Sequence, residues 1–210
     1  MDLTDMLSLF HSPASPYVRK VMVAAIECGV ADQIQLLGSS ASPVRRDQTI
    51  VAHNPTGKVP TLVLPDGRAL FDSRVICQYL DDTSGGKKLY PKGAQKFTIL
   101  TLEALADGLM DAALLLRYEA TLRPEPLRWP DWSRGQFEKI DSSLEALDAV
   151  YCDTLQAEFH AGAIAVAYVL GYLDLRFAEW NWRAAAPKLR SWFENITERP
   201  SLRCTPPLTT

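Results

Sequence analysis

The chain has 210 residues, 47% of them hydrophobic and 22% charged, which is enough to bury a substantial core and lies between one large domain and two small ones. Its formal net charge is -3 and its pI is near 5.6, so it offers no long-range attraction to nucleic-acid phosphates or anionic lipid headgroups. Neither nucleic acid nor a membrane is expected as a partner.

The opening Met1-Asp2-Leu3-Thr4-Asp5 carries two acids and no basic stretch, and so does not read as a secretory signal. The first strand is expected at Met6 to Phe10. It ends in the breaker-rich turn Ser12-Pro13-Ala14-Ser15-Pro16. Val18, Val21, Met22, Ala25 and Ile26 then fall on one helical face, with Pro16 suited to the first helical position and Gly29 to the position past the end. Ser15 is the expected N-cap. Ile34 to Leu37 forms a second strand, which gives a right-handed βαβ unit if it pairs parallel with the first. After a polar stretch over 39–56, Val59 to Leu64 and Arg68 to Phe71 flank Pro65-Asp66-Gly67, the signature of a hairpin. Val75, Ile76, Tyr79 and Leu80 complete one more helix, to about Asp82.

Asp81 to Lys88 is polar and holds Gly85-Gly86, a linker pattern. The remainder reads as helical. Leu102, Leu105, Ala106, Leu109, Met110, Ala113 and Leu114 share one spacing, and Phe137, Ile140, Leu144, Leu147 and Tyr151 another. Ala161 to Leu173 is nearly all apolar yet falls short of the roughly 20 residues of a membrane span, so it reads as a buried helix. The stripe Leu189, Trp192, Phe193, Ile196 supplies a further helix, stopped by Pro200. The expected organisation is an α/β domain over 1–82, a linker over 83–93 and an all-helical domain over 94–210. Cys28, Cys77, Cys152 and Cys204 are far apart without a Cys-x-x-Cys pair, so they fit reduced thiols in a cytoplasmic protein better than a disulfide scaffold or a zinc site.

Three places suit chemistry. A hydroxyl at a helix N-cap faces free backbone N–H groups and the positive end of the helix dipole, a setting that favours a thiolate. A free thiol ionises near pH 8.5, and lowering that by two units takes about 2.7 kcal/mol of preferential anion stabilisation. Capping by Ser15 alone is the plainer role for such a residue. The second place is Lys58-Val59-Pro60, where a cis bond before Pro60 turns the Val59 backbone outward to pair with an extended peptide; an ordinary edge-strand proline fits these residues equally well. The third is Asp72-Ser73, an acid and a hydroxyl at a helix start, which suit the ammonium and carboxylate of an amino acid or simply cap the helix. Serine at position 15 in place of a cysteine pair disfavours dithiol oxidoreductase chemistry.

The order of these segments resembles the cytosolic glutathione S-transferase family, and the likeness covers nearly the whole chain. Ser12 to Val21 is similar to the SxxSPYxRKV segment of bacterial, serine-type and Tau-like members, Asn54 to Pro60 matches NPxGKVP, and Asp72 to Ile76 matches [E/D]SxxI. Ala104 to Ala113, Gly171 to Phe177 and Glu198-Arg199-Pro200-Ser201 also look like family segments. The resemblance implies a thioredoxin-like βαβαββα domain followed by helices, working as a homodimer without metal and without a cofactor beyond glutathione as co-substrate. Catalysis would rest on Ser15. The cis-proline Pro60 would present Val59 to the cysteinyl backbone of glutathione, Lys58 would lie near the glycine carboxylate, and Asp72 and Ser73 would hold the γ-glutamyl end. Asp107 resembles an acid that in some members reaches the γ-glutamyl group from the partner subunit; otherwise it belongs on a solvated helix face. The implied activity is conjugation of the glutathione thiol to small electrophiles, with a non-catalytic glutathione-binding protein or a glutathione-dependent reductase or lyase as alternatives. Leu109, Met110, Ala113 and Tyr118 are candidate acceptor-pocket residues or, more plainly, core. One departure from the family pattern stands out: the Ser/Thr-x-x-Asp capping box before the buried helix is replaced by His160 and Ala163, leaving His160 as a weak cap.

Overall fold

The computed structural model describes residues 6–86 and 88–208. The opening Met1 to Asp5, Lys87 within the expected linker, and 209–210 lie outside the described residues. The chain divides into two compact units, one formed by Met1–Lys92 together with Arg199–Thr210 and the other by Gly93–Glu198.

The first unit is built on a four-stranded sheet of order β2-β1-β3-β4. Strand β1 (Leu7–His11) leads through the Pro-rich turn into α1 (Pro16–Glu27), and a 3-10 turn at Ala31–Gln33 returns the chain to β2 (Ile34–Gly38). β1 and β2 pair in parallel, Leu7 opposite Ile34. A short helix α2 (Gln48–Val51), capped by Asp47, interrupts the polar stretch before β3 (Thr61–Val63), β4 (Ala69–Leu70) and α3 (Ser73–Thr83). β3 runs antiparallel to both β1 and β4. The two hairpin strands are shorter than their apolar runs, because Pro60 cannot enter the ladder and Leu64 instead closes the turn by donating its N–H to the Arg68 carbonyl at 2.8 Å. α1 packs on α3. Their facing residues, among them Val21, Ala24, Ile76 and Leu80, are wholly buried together with Leu9 and Leu62 of the sheet.

Two features correct the expected boundaries. The segment read as a linker belongs to the first unit as far as Lys92, held there by the buried Asp81, whose carboxylate accepts from the backbone N–H of Leu89 at 3.0 Å and of Tyr90 at 3.2 Å. The end of the chain, expected with the helical domain, also joins the first unit. There α10 (Pro200–Arg203) packs on α1, and Glu27 is gripped by Arg199 (Nε at 3.2 Å, Nη2 at 2.8 Å) and by the Ser201 hydroxyl at 2.5 Å.

The second unit is helical: α4 (Gln95–Thr121), α5 (Pro130–Ala149), α6 (Cys152–Ala157), α7 (Ala161–Arg176), α8 (Trp182–Ala185) and α9 (Pro187–Ile196). α7 is buried from Ala161 to Leu173 and lies mainly on α4. The contact is close because Gly162 has no side chain: a Cβ there would stand 3.0 Å from Leu102. No helix among the described residues is long and apolar enough to cross a membrane.

Candidate functional site

The strand register gathers the three sequence motifs at one end of the sheet. Phe10 pairs with Thr61, so the turn leaving β1 lies beside the segment that enters β3. Leu62 pairs with Leu70, which places Phe71-Asp72 beside Pro60. Ser15, Val59 and Asp72-Ser73 therefore emerge from neighbouring strand ends within the first unit.

Ser15 is the N-cap of α1, with Pro16 in the first turn. Its Oγ accepts from the Val18 N–H at 3.3 Å, and its own N–H donates to the Ser12 carbonyl at 3.0 Å. Among the described residues the hydroxyl proton has no acceptor, so the cap employs one lone pair and leaves the donor available. Both roles fit one oxygen.

The Val59-Pro60 peptide bond is cis. Behind it stands Asn54, a buried residue whose Nδ2 donates to the Lys58 carbonyl at 3.3 Å and to Thr61 Oγ1 at 2.9 Å, while its Oδ1 accepts from the Thr56 N–H at 3.0 Å and the Thr56 hydroxyl at 2.8 Å. Thr61 Oγ1 in turn donates to the Lys58 carbonyl at 2.8 Å. Arg46 Nη2 ties the same loop at the Pro55 carbonyl, and Gly57 turns it with a positive φ of 65°. These bonds occupy the Lys58 carbonyl and leave the Val59 N–H and C=O without partners among the described residues. The Lys58 side chain is exposed. Sequence offers Asn54 only as the first residue of the NPxGKVP-like segment, and its pairing with Thr61 across the loop is a contact that no local pattern signals.

Asp72 is the N-cap of α3, and its Oδ1 accepts from the Arg74 N–H at 3.0 Å. An ion pair with Arg74 Nη2 at 3.0 Å holds the other oxygen, and the Phe71-Asp72 bond is also cis. Desolvation works against the Asp72 charge, but the Arg74 bonds and the field of Lys20 outweigh it and hold the carboxyl below the ordinary range. Ser73, the next residue, is 2% exposed, and its hydroxyl takes no partner among the described residues.

Asp107 lies in the helical unit and is 8% exposed, accepting a 2.8 Å bond from the Tyr168 hydroxyl. The solvated-face alternative is therefore overturned, because α7 covers this side of α4. Leu109, Met110 and Ala113 are core residues at 1%, 0% and 0% exposure, and only Tyr118 of the candidate acceptor group is partly open. His160 is the N-cap of α7: Nδ1 accepts from the Ala163 N–H at 3.1 Å, which leaves Nε2 to carry the proton and donate to the Thr154 carbonyl at 3.3 Å. An imidazole replaces the missing box.

A mixed sheet of this order, with a capping serine, a cis-proline and an acid-hydroxyl helix start at one end, defines a thioredoxin-like domain, here followed by a helical domain. Residues 14–83 match the model of the glutathione S-transferase N-terminal domain and residues 130–195 that of the C-terminal domain. The chain belongs to the glutathione S-transferase family and has its fold. It is 32% identical to the uncharacterized GST-like protein YibF of Escherichia coli K12 over 204 residues, covering 96% of this chain and 98% of that one. A glutathione transferase family member from Pseudomonas fluorescens Pf-5, solved with bound glutathione, superposes with a TM-score of 0.94 at 45% identity over 97% of this chain and all (100%) of that one. A structure of a family member from the same organism with bound S-(propanoic acid)-glutathione gives a TM-score of 0.90 at 44% identity, with the same coverage, 97% and 100%.

Proposed function

We propose that this chain is a serine-type glutathione transferase in which the Ser15 hydroxyl donates to the glutathione sulfur and directs the thiolate onto a small electrophile. The observation that carries this reading is the uncommitted hydroxyl proton of Ser15 at the N-terminus of α1, where the helix dipole favours an anion. Val59 supplies the backbone pair for the cysteinyl residue of glutathione, Lys58 the cation for its glycine carboxylate, and Asp72 with Ser73 the acid and hydroxyl for its γ-glutamyl end. Asp107 has a structural use already in its bond to Tyr168, and any reach toward a partner subunit's ligand would be additional to it.

The reaction forms a carbon–sulfur bond. The thiol proton leaves to solvent, and the electrophile releases its leaving group or, in an addition, takes a proton. Serine cannot form the mixed disulfide that a reductase of this fold requires, which favours conjugation. We further read the working form as a cytoplasmic homodimer with a detoxifying role; Phe71 (36% exposed), just before the N-cap of α3, and Val75 (45%), in its first turn, supply apolar surface for a second copy. Turnover of a chloronitrobenzene by the purified protein and by Ser15→Ala tests the assignment. Conjugation that falls by about one to three orders of magnitude in the variant supports it, and absence of turnover in a wild-type protein that binds glutathione would favour a binding protein.

A further inference from the structure

Arg19, on the second turn of the helix that Ser15 caps, is a half-buried cation with no counter-ion among the described residues. Its backbone N–H donates to the Ser15 carbonyl at 3.2 Å, and its Nε donates to the Thr205 carbonyl at 2.5 Å. Nη1 is buried with no hydrogen-bond partner among the described residues. Among the described residues it takes no ion-pair partner. Glu27, at the far end of α1, pairs with Arg199 and Ser201, and Asp72 pairs with Arg74. Lys20, its neighbour on α1, adds positive charge near Asp72. Burial lowers the Arg19 guanidinium to about 10, which still leaves it charged at neutral pH.

An uncompensated buried cation is costly unless something anionic shares its surroundings. Side chains on a helix lean over the turn N-terminal to them, so Arg19 lies toward the turn that carries Ser15. The C-terminal segment sets this arrangement, since Thr205 follows α10 and α10 is anchored on α1 through Glu27. We propose that Arg19, fixed by the Thr205 carbonyl, is the standing positive charge that favours an anion at the α1 N-terminus, acting through space on the thiolate that Ser15 contacts. This rests on the reading of Ser15 as the thiol-activating group. At an effective dielectric of about 20, a unit charge on the order of 10 Å from any thiol shifts it by about one pKa unit, which sets the scale of effect to look for.

The test compares Arg19→Gln and Arg19→Lys with wild type in two readouts, the pKa of bound glutathione and the ratio of affinities for glutathione sulfonate, anionic at the sulfur, and S-methylglutathione, neutral there. Arg19→Gln is expected to raise the bound-thiol pKa by about one unit and weaken the sulfonate about tenfold, with S-methylglutathione changed less than about twofold. Arg19→Lys, which keeps the charge, restores most of both. An unchanged pKa in Arg19→Gln, or equal weakening of both ligands, overturns the proposal. If Arg19→Gln does not fold, Arg19→Lys decides: a pKa rise as large as that of Ser15→Ala overturns it, and a value within about half a unit of wild type upholds it. A wild-type bound thiol no more acidic than free glutathione would instead sink the Ser15 reading itself, whereas a shifted Ser15→Ala beside an unshifted Arg19→Gln would remove Arg19 alone.

Discussion

Tyr168 donates its buried hydroxyl to the Asp107 carboxylate over 2.8 Å, joining the middle of α7 to the middle of α4. Because most other buried residues of α7 are apolar, this is a polar fixed point in a packed interface. Tyr168→Phe removes the donor and leaves the carboxylate buried, so stability falls by about 1.5 to 3 kcal/mol. Urea unfolding checks it: the midpoint drops with the slope unchanged. A midpoint equal to wild type would mean that the bond contributes nothing net.

The His160 cap makes stability depend on pH. Nδ1 serves the cap only when neutral, and burial, partly opposed by the Thr154 bond and Glu158, holds the imidazole below its usual value. The unfolded chain therefore binds the proton first as pH falls. The stabilisation is complete above about pH 6.5 and is lost progressively below it, with a slope of at most about 1.4 kcal/mol per pH unit. His160→Asn keeps a capping acceptor without titrating, so the difference in unfolding free energy between it and wild type should widen in its favour between neutral and acid pH. A pH-independent difference would contradict this.

Asp72 both caps α3 and, in the proposed function, binds the γ-glutamyl ammonium. Asparagine caps about as well as aspartate but carries no charge. Asp72→Asn should thus leave the melting temperature nearly unchanged while weakening glutathione about tenfold or more. Ser73→Ala should likewise weaken glutathione with little change in stability, its hydroxyl having no partner among the described residues. Calorimetric titration decides, and affinities equal to wild type in both variants would remove the pair from the site.

Much of the first unit is legible in the sequence because its signals are local. Ser15-Pro16 announces a cap and first turn, Pro65-Asp66-Gly67 a hairpin, and the stripe from Val75 to Leu80 a helix. The three motif segments are also local, and their meeting at one end of the sheet follows from pairing alone. What escapes the sequence is non-local. Nothing near Glu27 foretells Arg199, 172 positions away, so the return of the chain end to α1 is invisible until the structure brings them together. Asp107 follows an apolar stripe closely enough to pass for its solvent edge, and only its alignment with Tyr168 shows that it is inside. His160 breaks the expected box pattern, and an imidazole reaching the Ala163 N–H depends on a rotamer that sequence does not specify.

The most direct test of the account is the pKa of the glutathione thiol when bound, followed by thiolate ultraviolet difference absorbance against pH in wild type and Ser15→Ala. Free glutathione ionises like an ordinary thiol, near pH 8.5. The account predicts a bound value lower by about two units in wild type, with Ser15→Ala returning about one unit or more of that shift while glutathione stays bound. The cap itself contributes ~1 kcal/mol of stability, so a somewhat lower melting temperature in the variant is expected as well. A variant that melts lower yet keeps the wild-type thiol pKa would show that Ser15 caps its helix and does nothing for the sulfur.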